Sequence, residues 1–470
     1  MKIYNTLTRK KETIKPRVDK KIDIFVCGPT VYDSPHLGHA RIAVFFDCFV
    51  KYLRQRGYKV KYIVNITDVD DKIILRAKEK GVSVKDIATV FEKEYLNSMR
   101  KLKVTAVTKY ARATQHIKEI ISQIKRLEEK GFTYRIENDG IYYDISKFKN
   151  YGKLARRTVL QAEDGVSRID DSAKKKNKGD FCLWKFTQSP EEPSWKSPWG
   201  NGRPGWHIED TAISEKYLGC QYDIHGGGRD LIFPHHEAEI SQMEAISGKS
   251  PFVKYWMHVG FVNISGQKMS KSLGNFISVN DFLKHWPPQC LRFLILKNLW
   301  QSPLNYTESL IIETKAGLKK IEEFLRKISL FMYYERKNNY SDKSMTLLFV
   351  KSKKSFYQYL NDNFNTPRAF SVLFDLIKKI NDFTKNSPLS PSLARKIYSF
   401  FKEINSFLEI VDFNQLLSQL PARIKKMVKQ RENFRKKEKW KKADEIRKKI
   451  EQEGFVIEDT QWGPLVKKKD

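Results

Sequence analysis

The amino-terminal part of the chain alternates between short apolar segments and amphipathic segments, and this alternation constrains the fold more than any other feature. An apolar stretch over Ile22–Gly28 predicts a strand, and after a turn-rich segment Pro35 opens a helical pattern. A second strand is predicted over Lys59–Thr67, with helices over Asp70–Gly81 and Val84–Leu102. Strand, helix, strand, helix in this order predicts a parallel α/β sheet.

The alternation is interrupted and then resumes. From about 105 to 197, a basic run and several proline-rich turns predict an insertion within the α/β domain. The pattern returns with a predicted strand at Tyr222–His225, a helix that begins near Pro234 and a further strand at Tyr255–Ile264. The sheet is therefore expected to be split in sequence.

The rest of the chain is predominantly helical in pattern. Amphipathic periodicity predicts four bundle helices, over Thr314–Phe331, Ser344–Leu360, Thr366–Thr384 and Ser392–Leu408. A single basic helix over Arg423–Gln452 and a short strand at Phe455–Glu458 are predicted to follow. We expect an α/β domain at 1–295, a helical region at 296–410 and a basic region at 411–470.

Length and charge limit the class of protein. A chain of 470 residues can form two to four domains, each with its own core. The formal net charge of +32 at pH 7 would attract a polyanion such as RNA, although a lysine-rich coding bias is an alternative explanation. No apolar run approaches the roughly 18 residues that span a bilayer, so a cytoplasmic protein without a membrane partner is expected.

Two short segments carry candidate chemistry. His36-Leu37-Gly38-His39 lies where the loop after the first strand enters the helix, a usual position for binding phosphate. The basic segment Lys268–Asn275 follows a predicted strand, and its lysines suit a leaving pyrophosphate. Taken separately, the alternatives are two ordinary surface histidines and a solvated basic turn.

Together, in this order on a split α/β domain, the two segments resemble the HIGH and KMSKS signatures of class I aminoacyl-tRNA synthetases. Longer stretches resemble the cysteinyl enzymes of that class: CGPTVYD from Cys27, NITD from Asn65, SPWGNGRPGWHIE ending at Glu209 and HGGGRDLIFPHHEAE ending at Glu239. The resemblance extends to the carboxyl-terminal tail. It implies a Rossmann-type catalytic domain split by an insertion, an anticodon-binding bundle and a basic tRNA-binding region.

The resemblance also implies a function and a set of site residues. The reaction would join L-cysteine to tRNA(Cys) through a cysteinyl-adenylate, with ATP and Mg²⁺ and without an obligatory protein partner. The implied catalytic residues are His36, His39, Lys268 and Lys271. The implied ATP-binding residues are Gly38, His39, Gly226, Gly227, Gly228, Asp230 and Lys271. The implied cysteine-binding residues are Cys27, Thr67, Trp206 and His225.

In the family, a zinc ion binds the thiolate of the substrate. The matching ligand positions in this chain are Cys27, Asp210, His235 and Glu239. Such a metal has a chemical reason, because cysteine and serine are nearly isosteric and a borderline-soft ion prefers thiolate to hydroxyl. His235 and Glu239 are four residues apart on a predicted helix and so share one face.

Asp210 stands where the family has a second cysteine. Aspartate is a legitimate zinc ligand with the same charge, so retention of the metal is expected. The alternative is a site that has lost zinc and keeps Cys27 as a buried thiol, or one to which Cys220 or His207 supplies a substitute ligand.

The carboxyl-terminal third carries two further expectations. Asn363–Pro367 matches a family segment and predicts a helix N-cap with proline in the first turn. The residues expected to pack inward from the basic helix are Trp440, Ala443, Arg447 and Ile450. The residues expected to form an exposed phosphate-binding face are Arg435, Lys436, Lys437, Lys441 and Lys442.

Two rival functions use the same sequence features. A paralogue could couple cysteine to a small amine or sugar without tRNA, but the long helical and basic region argues against it. A silent RNA-binding relative could have a dead pocket marked by Asp210, but the intact HLGH and KMSKS segments argue against that.

Overall fold

The computed structural model describes residues 1–157, 172, 174–269, 274–332, 342–416, 421–460 and 462–468, without the side chains of Lys268, Gln415, Lys467 and Lys468. They form two compact units. One contains Met1–Thr307 and Asn361–Asn365, and the other contains Glu308–Leu360 and Thr366–Asp470. Within the described residues, none of the helices combines the length and the apolar character that crossing a membrane requires.

The first unit mixes strands and helices. Its elements up to the middle of the unit are β1 Lys2–Asn5, β2 Lys10–Thr13, β3 Lys21–Val26, α1 Leu37–Gln55, β4 Lys59–Ile66, α2 Asp71–Lys80, α3 Val84–Lys101, β5 Lys109–Arg112, α4 Ile117–Glu129, β6 Thr133–Ile136 and β7 Gly140–Tyr143. The remaining ones are β8 Phe181–Phe186, β9 Gly202–Pro204, α5 Ile208–Leu218, β10 Tyr222–Gly228, α6 His235–Ser247, β11 Val253–Val259, β12 Val262–Ile264, β13 Gln267–Lys268, α7 Val279–His285, α8 Pro288–Leu296 and β14 Leu304–Tyr306.

A five-stranded parallel sheet organises this unit, in the order β11-β10-β3-β4-β5. From β3 the chain moves outward to β4 and β5, and it later returns to the other side of β3 to form β10 and β11. The strand order therefore reverses between β3 and β10. In such sheets a crevice opens at this reversal, beyond the carboxyl ends of the strands. The predicted parallel α/β fold is confirmed.

Local capping signals set the ends of the helices that flank the sheet. Asp70 caps α2 by accepting from the backbone of Lys72, and Gly81 ends it with φ +63°. The prediction that Pro35 is the first helical residue is wrong. His36 is the N-cap of α1, because its side chain accepts the backbone N–H of Gly38, and Pro35 lies outside the helix.

Two sequence boundaries differ from expectation. Lys109–Arg112, inside the predicted insertion, pairs in parallel with β4 and is the edge strand β5 of the central sheet. The four-stranded antiparallel sheet β6-β7-β8-β9 follows it. The strand expected over Tyr255–Ile264 is two strands, because β11 belongs to the parallel sheet while β12 pairs with β13 and β14. The break falls at Gly260, where a side chain would overlap the carbonyl of Ser302.

The second unit contains α9 Glu308–Phe331, α10 Lys343–Asn361, α11 Thr366–Phe383, α12 Pro391–Leu408, α13 Phe413–Leu416, α14 Ala422–Lys436, α15 Trp440–Gln452, β15 Phe455–Thr460 and β16 Gly463–Lys468. The four predicted bundle helices are confirmed as α9 to α12. The prediction of a single basic helix is wrong. The segment is two helices, α14 and α15, separated by a turn in which Glu438 has φ +55°.

The carboxyl-terminal helices and hairpin have their own small core. It consists of Ile424, Ile446, Ile450 and Ile457. Ala443 and Ile450 pack inward as predicted, but Trp440 does not. As the first residue of α15 it is 55% exposed, and the guanidinium of Arg435 lies 5.6 Å from the centre of its ring. Arg447 is half-buried and donates to the carbonyl of Ile457 at 3.0 Å.

The segment Asn361–Asn365, which begins with the last residue of α10, belongs to the first unit. The backbone N–H of Tyr4 donates to Asn363 Oδ1 at 2.8 Å, and the indole of Trp300 donates to the Asn363 carbonyl at 3.0 Å. Asn363 and Phe364 both have positive φ, +64° and +47°. The segment is thus structural, and the side chain of Asn363 anchors it within the α/β unit.

Candidate active site and metal centre

A cleft opens at the carboxyl ends of the parallel strands, where the strand order reverses. The sequence-predicted residues that border it are Cys27, His36, Gly38, His39, Thr67, Trp206, Asp210, Gly228, Asp230 and His235. Four other predicted residues are buried behind its wall, namely His225, Gly226, Gly227 and Glu239. Lys271 and the side chain of Lys268 lie outside the described residues.

His36 and His39 share a defined arrangement at the start of α1. The backbone N–H of Gly38 donates to His36 Nδ1 at 3.0 Å, and the backbone N–H of His36 donates to His39 Nδ1 at 3.3 Å. The two rings stack with their centroids 3.8 Å apart. Because each Nδ1 accepts a hydrogen bond, each neutral ring carries its proton on Nε2.

Burial keeps these two imidazoles uncharged. It lowers the pKa of His36 to about 4, and burial together with the neighbouring His36 lowers the pKa of His39 well below its usual value. At neutral pH the pair therefore offers two N–H donors to the cleft without a positive charge. The amino-terminal end of α1 adds the partial positive charge of the helix dipole.

Four buried donors meet at one end of the cleft, and we call them the outer set: Cys27, Asp210, His235 and Glu239. His235 Nε2 lies 3.0 Å from Asp210 Oδ2 and 3.0 Å from Glu239 Oε1. Cys27 Sγ lies 3.6 Å from the same oxygen of Glu239. The donor atoms of all four lie within 4.8 Å of one another.

The main chain explains this convergence. Cys27 directly follows β3, and Asp210 lies in the first turn of α5. His235 and Glu239 are the first and fifth residues of α6, so that they project from one face of that helix. The four residues implied as ligands are therefore brought together from three elements.

The electrostatics of the outer set suit a cation. Burial and the charges of Glu239 and Asp210 raise the pKa of Cys27 well above its usual value. Burial opposes the charged form of His235, but hydrogen bonds to Asp210 and Glu239 outweigh it and raise the pKa of His235 to about 10. Burial also raises the pKa of Glu239, to about 7. The surroundings thus favour a positive charge between the two carboxylates.

Two oxygen atoms support a divalent metal at this position. Asp210 Oδ1 and Glu239 Oε2 are buried and have no hydrogen-bond partner, a costly state unless another group satisfies them. A set of one thiol, one imidazole and two carboxylates is chemically suitable for zinc. The outer set therefore fits the ion that the resemblance implies, with Asp210 in place of a second sulfur.

Neither substitute ligand considered from the sequence belongs to the outer set. His207 contacts the outer set only through His235, since its Nδ1 lies 2.7 Å from Nδ1 of His235. That contact leaves His235 Nε2 directed at the carboxylates. Cys220 belongs to neither of the two donor groups found among the described residues.

His225 lies against Cys27 and is surrounded by buried aromatic side chains. Its Nε2 lies 3.3 Å from Cys27 Sγ, and its Nδ1 lies 2.6 Å from the hydroxyl of Tyr222. Its ring stacks on Trp256 with centroids 4.5 Å apart. His225 therefore holds Cys27 from behind and does not border the cleft.

Two glycines of the run lie close to side chains of α1 and α6. A side chain at Gly226 would overlap the ring of Phe46, and one at Gly227 would lie 2.9 Å from the ring of His236. Gly228 alone of the three borders the cleft, beside Asp230. The first two glycines thus allow α1 and α6 to approach the sheet, and contact between the run and ATP stays a prediction.

The structure adds cleft residues that sequence reasoning missed. Tyr32, Lys72 and Met269 border the cleft, and the ammonium of Lys72 lies 5.6 Å from the centre of the Tyr32 ring. Lys72 is in the first turn of α2, and only the preceding N-cap Asp70 marked that position in the sequence. Met269 lies within the KMSKS segment and brings the start of that segment to the cleft.

Models of three known families match successive parts of the chain. The family described as tRNA synthetases class I (C) catalytic domain matches residues 13–316. The DALR domain matches residues 355–412, and the cysteinyl-tRNA ligase anticodon binding domain matches residues 417–463.

Similar proteins extend over the whole chain. A cysteine–tRNA ligase of Methanococcus maripaludis is 43% identical over 98% of this chain and 97% of its own length. One from Thermococcus gammatolerans is 42% identical over 100% of this chain and 99% of its own length. Among solved structures, a methionyl-tRNA synthetase of Mycobacterium tuberculosis has a TM-score of 0.60 at 13% identity, covering 83% of this chain and 89% of that one. The chain therefore belongs to the cysteine–tRNA ligases, a family of class I aminoacyl-tRNA synthetases.

Proposed function

We propose that this protein activates L-cysteine with ATP and transfers the cysteinyl group to tRNA(Cys). One observation carries the proposal: a buried donor set suited to a thiolate-binding metal shares a cleft with two neutral histidines at a helix amino terminus. The first feature selects a sulfur-containing substrate. The second suits the phosphates of ATP.

In the first step, the carboxylate of cysteine attacks the α-phosphorus of ATP in line, which gives cysteinyl-adenylate and pyrophosphate. His36 and His39 donate from Nε2 to the phosphate oxygens as negative charge moves onto them. No protein nucleophile is needed, because the reaction depends on positioning and charge stabilisation. Mg²⁺ accompanies ATP, and Lys268 and Lys271 are assigned to the pyrophosphate on the strength of the KMSKS resemblance.

In the second step, the 3′-terminal ribose of the tRNA takes the acyl group from the adenylate. The DALR and anticodon-binding matches in the carboxyl-terminal third support tRNA as the acceptor. They weigh against a small amine or sugar, which would need no such domains. The exposed Lys436, Lys437, Lys441 and Lys442 supply a basic face for phosphates.

The metal would be zinc, held by the outer set. A bound zinc ion supplies an affinity for thiolate that a hydroxyl does not share, and it thereby separates cysteine from serine. The chain itself positions this centre: His225 lies against Cys27 at 3.3 Å, and His207 lies against His235 at 2.7 Å. Asp210 keeps the negative charge that a cysteinate would provide.

Thr67 and Trp206 form the walls beside this centre. The Thr67 hydroxyl accepts from Asn65 Nδ2 at 3.2 Å, and Asn65 Oδ1 accepts the backbone N–H of Gly28 at 2.5 Å. The ring of Trp206 lies 4.7 Å from that of His235. Both side chains are thereby fixed before substrate arrives, and we assign them to the bound cysteine.

Cysteine-dependent exchange of pyrophosphate into ATP, followed by charging of tRNA(Cys), tests the proposal. We expect both activities. Exchange without charging would favour a paralogue that acts on a small acceptor, and the absence of both would favour a silent RNA-binding relative. Elemental analysis tests the metal separately, with about one zinc expected in the outer set, and active protein without any divalent metal would contradict the thiolate-sensing role.

A further inference from the structure

The loop that leads into α1 pairs with a segment far along the chain, and the two meet at His36. The backbone N–H of Leu37 donates to the carbonyl of Ile277 at 3.2 Å. The backbone N–H of Val279 donates to the carbonyl of Pro35 at 2.8 Å. The position of His36 therefore depends on how these two backbone segments are held together.

Glu94 of α3 contacts both of the paired segments. Its Oε2 accepts the hydroxyl of Ser34, two residues before His36, at 3.1 Å. Its Oε1 accepts Nδ2 of Asn280, in the first turn of α7, at 2.8 Å. Each oxygen thus holds one segment, and an ionised carboxylate forms stronger hydrogen bonds than a neutral acceptor does.

Glu94 makes these contacts from outside the cleft. It is half-buried and is not among the described residues that border the cleft. The next residue, Tyr95, is buried and meets the ring of His39 edge-on, with the ring centroids 6.4 Å apart. The helix α3 therefore contacts both the HLGH segment and the loop before it, and Glu94 acts on the His36 side.

We propose that Glu94 is a positioning residue for adenylate formation, which holds His36 where its Nε2–H meets the phosphates of ATP. This inference rests on the proposed function, in which His36 is one of the two phosphate donors. A displacement of about 1 Å at a reacting centre can cost roughly 100-fold in rate. A carboxylate that holds the backbone on both sides of a donor therefore influences the reaction without touching the substrate.

Substitution of Glu94 tests the proposal, with the single-turnover rate of adenylate formation as the measurement. Glu94→Ala removes both contacts and should slow this rate at saturating ATP by about 10- to 100-fold, with the KM for cysteine unchanged. Glu94→Gln can still accept from Asn280 and can donate to Ser34, so it should retain most of the rate. Glu94→Asp is one methylene shorter and should resemble Glu94→Ala.

Combination with His36→Asn separates positioning from a general loss of stability. If Glu94 acts through His36, Glu94→Ala should slow the His36→Asn variant by no more than about 2-fold, because the donor that it positions is already absent. A contact that merely stabilises the fold would slow both proteins by the same factor.

Glu92→Ala is the matched control on the same helix. Both oxygens of Glu92 accept from Nε of Arg112 at 2.8 Å, so that this variant also loses two contacts of a carboxylate on α3. It should lower the melting temperature and leave adenylate formation at the normal rate.

The two partners of Glu94 keep the proposal open to refutation if Glu94→Ala does not fold. Ser34→Ala and Asn280→Ala each remove one contact, and each should slow adenylate formation. The double variant should show about the 10- to 100-fold loss that is expected of Glu94→Ala.

The outcomes separate this inference from the proposed function. A normal rate in folded Glu94→Ala, or in the double variant of its partners, would overturn the positioning role and leave the proposed function intact. An equal loss with and without His36 would also overturn it. A normal rate in His36→Asn would contradict the assignment of His36 as a phosphate donor, and the positioning role would be overturned with it. The absence of cysteine-dependent exchange in the unaltered protein would overturn the proposed function itself.

Discussion

At the scale of the residue, the two ring nitrogens of His36 serve two purposes, capping a helix and binding phosphate. His36 Nδ1 closes the amino terminus of α1, and its Nε2–H remains for the phosphates. The sequence indicated the phosphate role from position alone. It gave no sign of the capping role, because histidine is not among the preferred N-cap residues.

This division of labour can be tested with two substitutions. Asparagine is a good N-cap but lacks the second donor, so His36→Asn should melt near the normal temperature while adenylate formation slows by roughly 100-fold. His36→Ala should lose that donor and also about 1 kcal/mol of stability with the cap. Melting curves and pre-steady-state pyrophosphate exchange measure the two effects. Equal loss of stability in both variants would contradict the capping assignment.

The pH dependence of His36 follows from its lowered pKa. The folded protein binds a proton on His36 only near pH 4, whereas the unfolded chain binds it near pH 6.5. The His36 contribution to the unfolding free energy therefore falls as pH drops from about 6.5 to 4, and it is constant above that window. His36→Asn should accordingly be less acid-sensitive than the unaltered protein in denaturant titrations. An unchanged acid sensitivity would mean that His36 is not buried in its neutral form.

Asp210 stands where the resemblance to the cysteinyl enzymes implies a second cysteine. Asp210→Cys should raise zinc affinity by adding a second thiolate, and it should preserve activity, since the charge of the ligand set is unchanged. Competition with a zinc chelator and cysteine-dependent exchange are the measurements. Tighter zinc with lost activity would instead indicate a pocket adapted to the carboxylate.

At the scale of the element, sequence predicted most where local chemistry decides the outcome. The ends of α2 followed from Asp70 and Gly81, and the bundle helices followed from their periodicity. Predictions failed where tertiary contacts decide. The break between β11 and β12 depends on the close approach of Gly260 to Ser302, and the turn between α14 and α15 depends on a positive φ at Glu438. Neither signal is visible in a local pattern.

Within the glycine run, Gly226 lies close to the ring of Phe46, whereas Gly228 borders the cleft. Gly226→Ala would press on Phe46 and should destabilise the protein by about 1–3 kcal/mol. Gly228→Ala would meet the end of the Asp230 side chain at the cleft. It should therefore change the KM for ATP more than the melting temperature. The opposite pattern would contradict the assignment of Gly228 to the cleft.

At the scale of the whole molecule, the outer set was predictable only because an ordered series of motifs resembled a family. Composition and periodicity could not bring Cys27, Asp210 and His235 together, since they lie on separate elements far apart in sequence. The contact between Cys27 Sγ and His236 Nε2, at 3.1 Å, was missed although His236 adjoins a predicted ligand. A ring's orientation depends on partners such as His258, which only the folded chain identifies.

The exposed lysines on either side of the α14–α15 turn lead to a prediction about tRNA. Replacing Lys436, Lys437, Lys441 and Lys442 with glutamine should raise the KM for tRNA and leave pyrophosphate exchange unchanged. The slope of log affinity against log salt should become shallower by about one for each tRNA phosphate that a lysine no longer neutralises. The matched control replaces four exposed lysines of α2 and α3, Lys78, Lys80, Lys85 and Lys93. Equal effects in both variants would remove the basis for a specific tRNA-binding face.

The buried side chain of Arg41 connects α1 to the backbone that precedes β12 and β14. It lies two residues after His39 on α1, is fully buried, and donates to the carbonyls of Gly260 and Ser302, the former at 2.9 Å. Gly260 stands at the start of the chain that runs through β12 and β13 to Lys268. Arg41 thus links the helix that carries the HLGH segment to the chain that leads to the KMSKS segment. A displacement of α1 would therefore pull on the backbone at Gly260 and Ser302, from which the chain leads through β12 and β13 to the second segment.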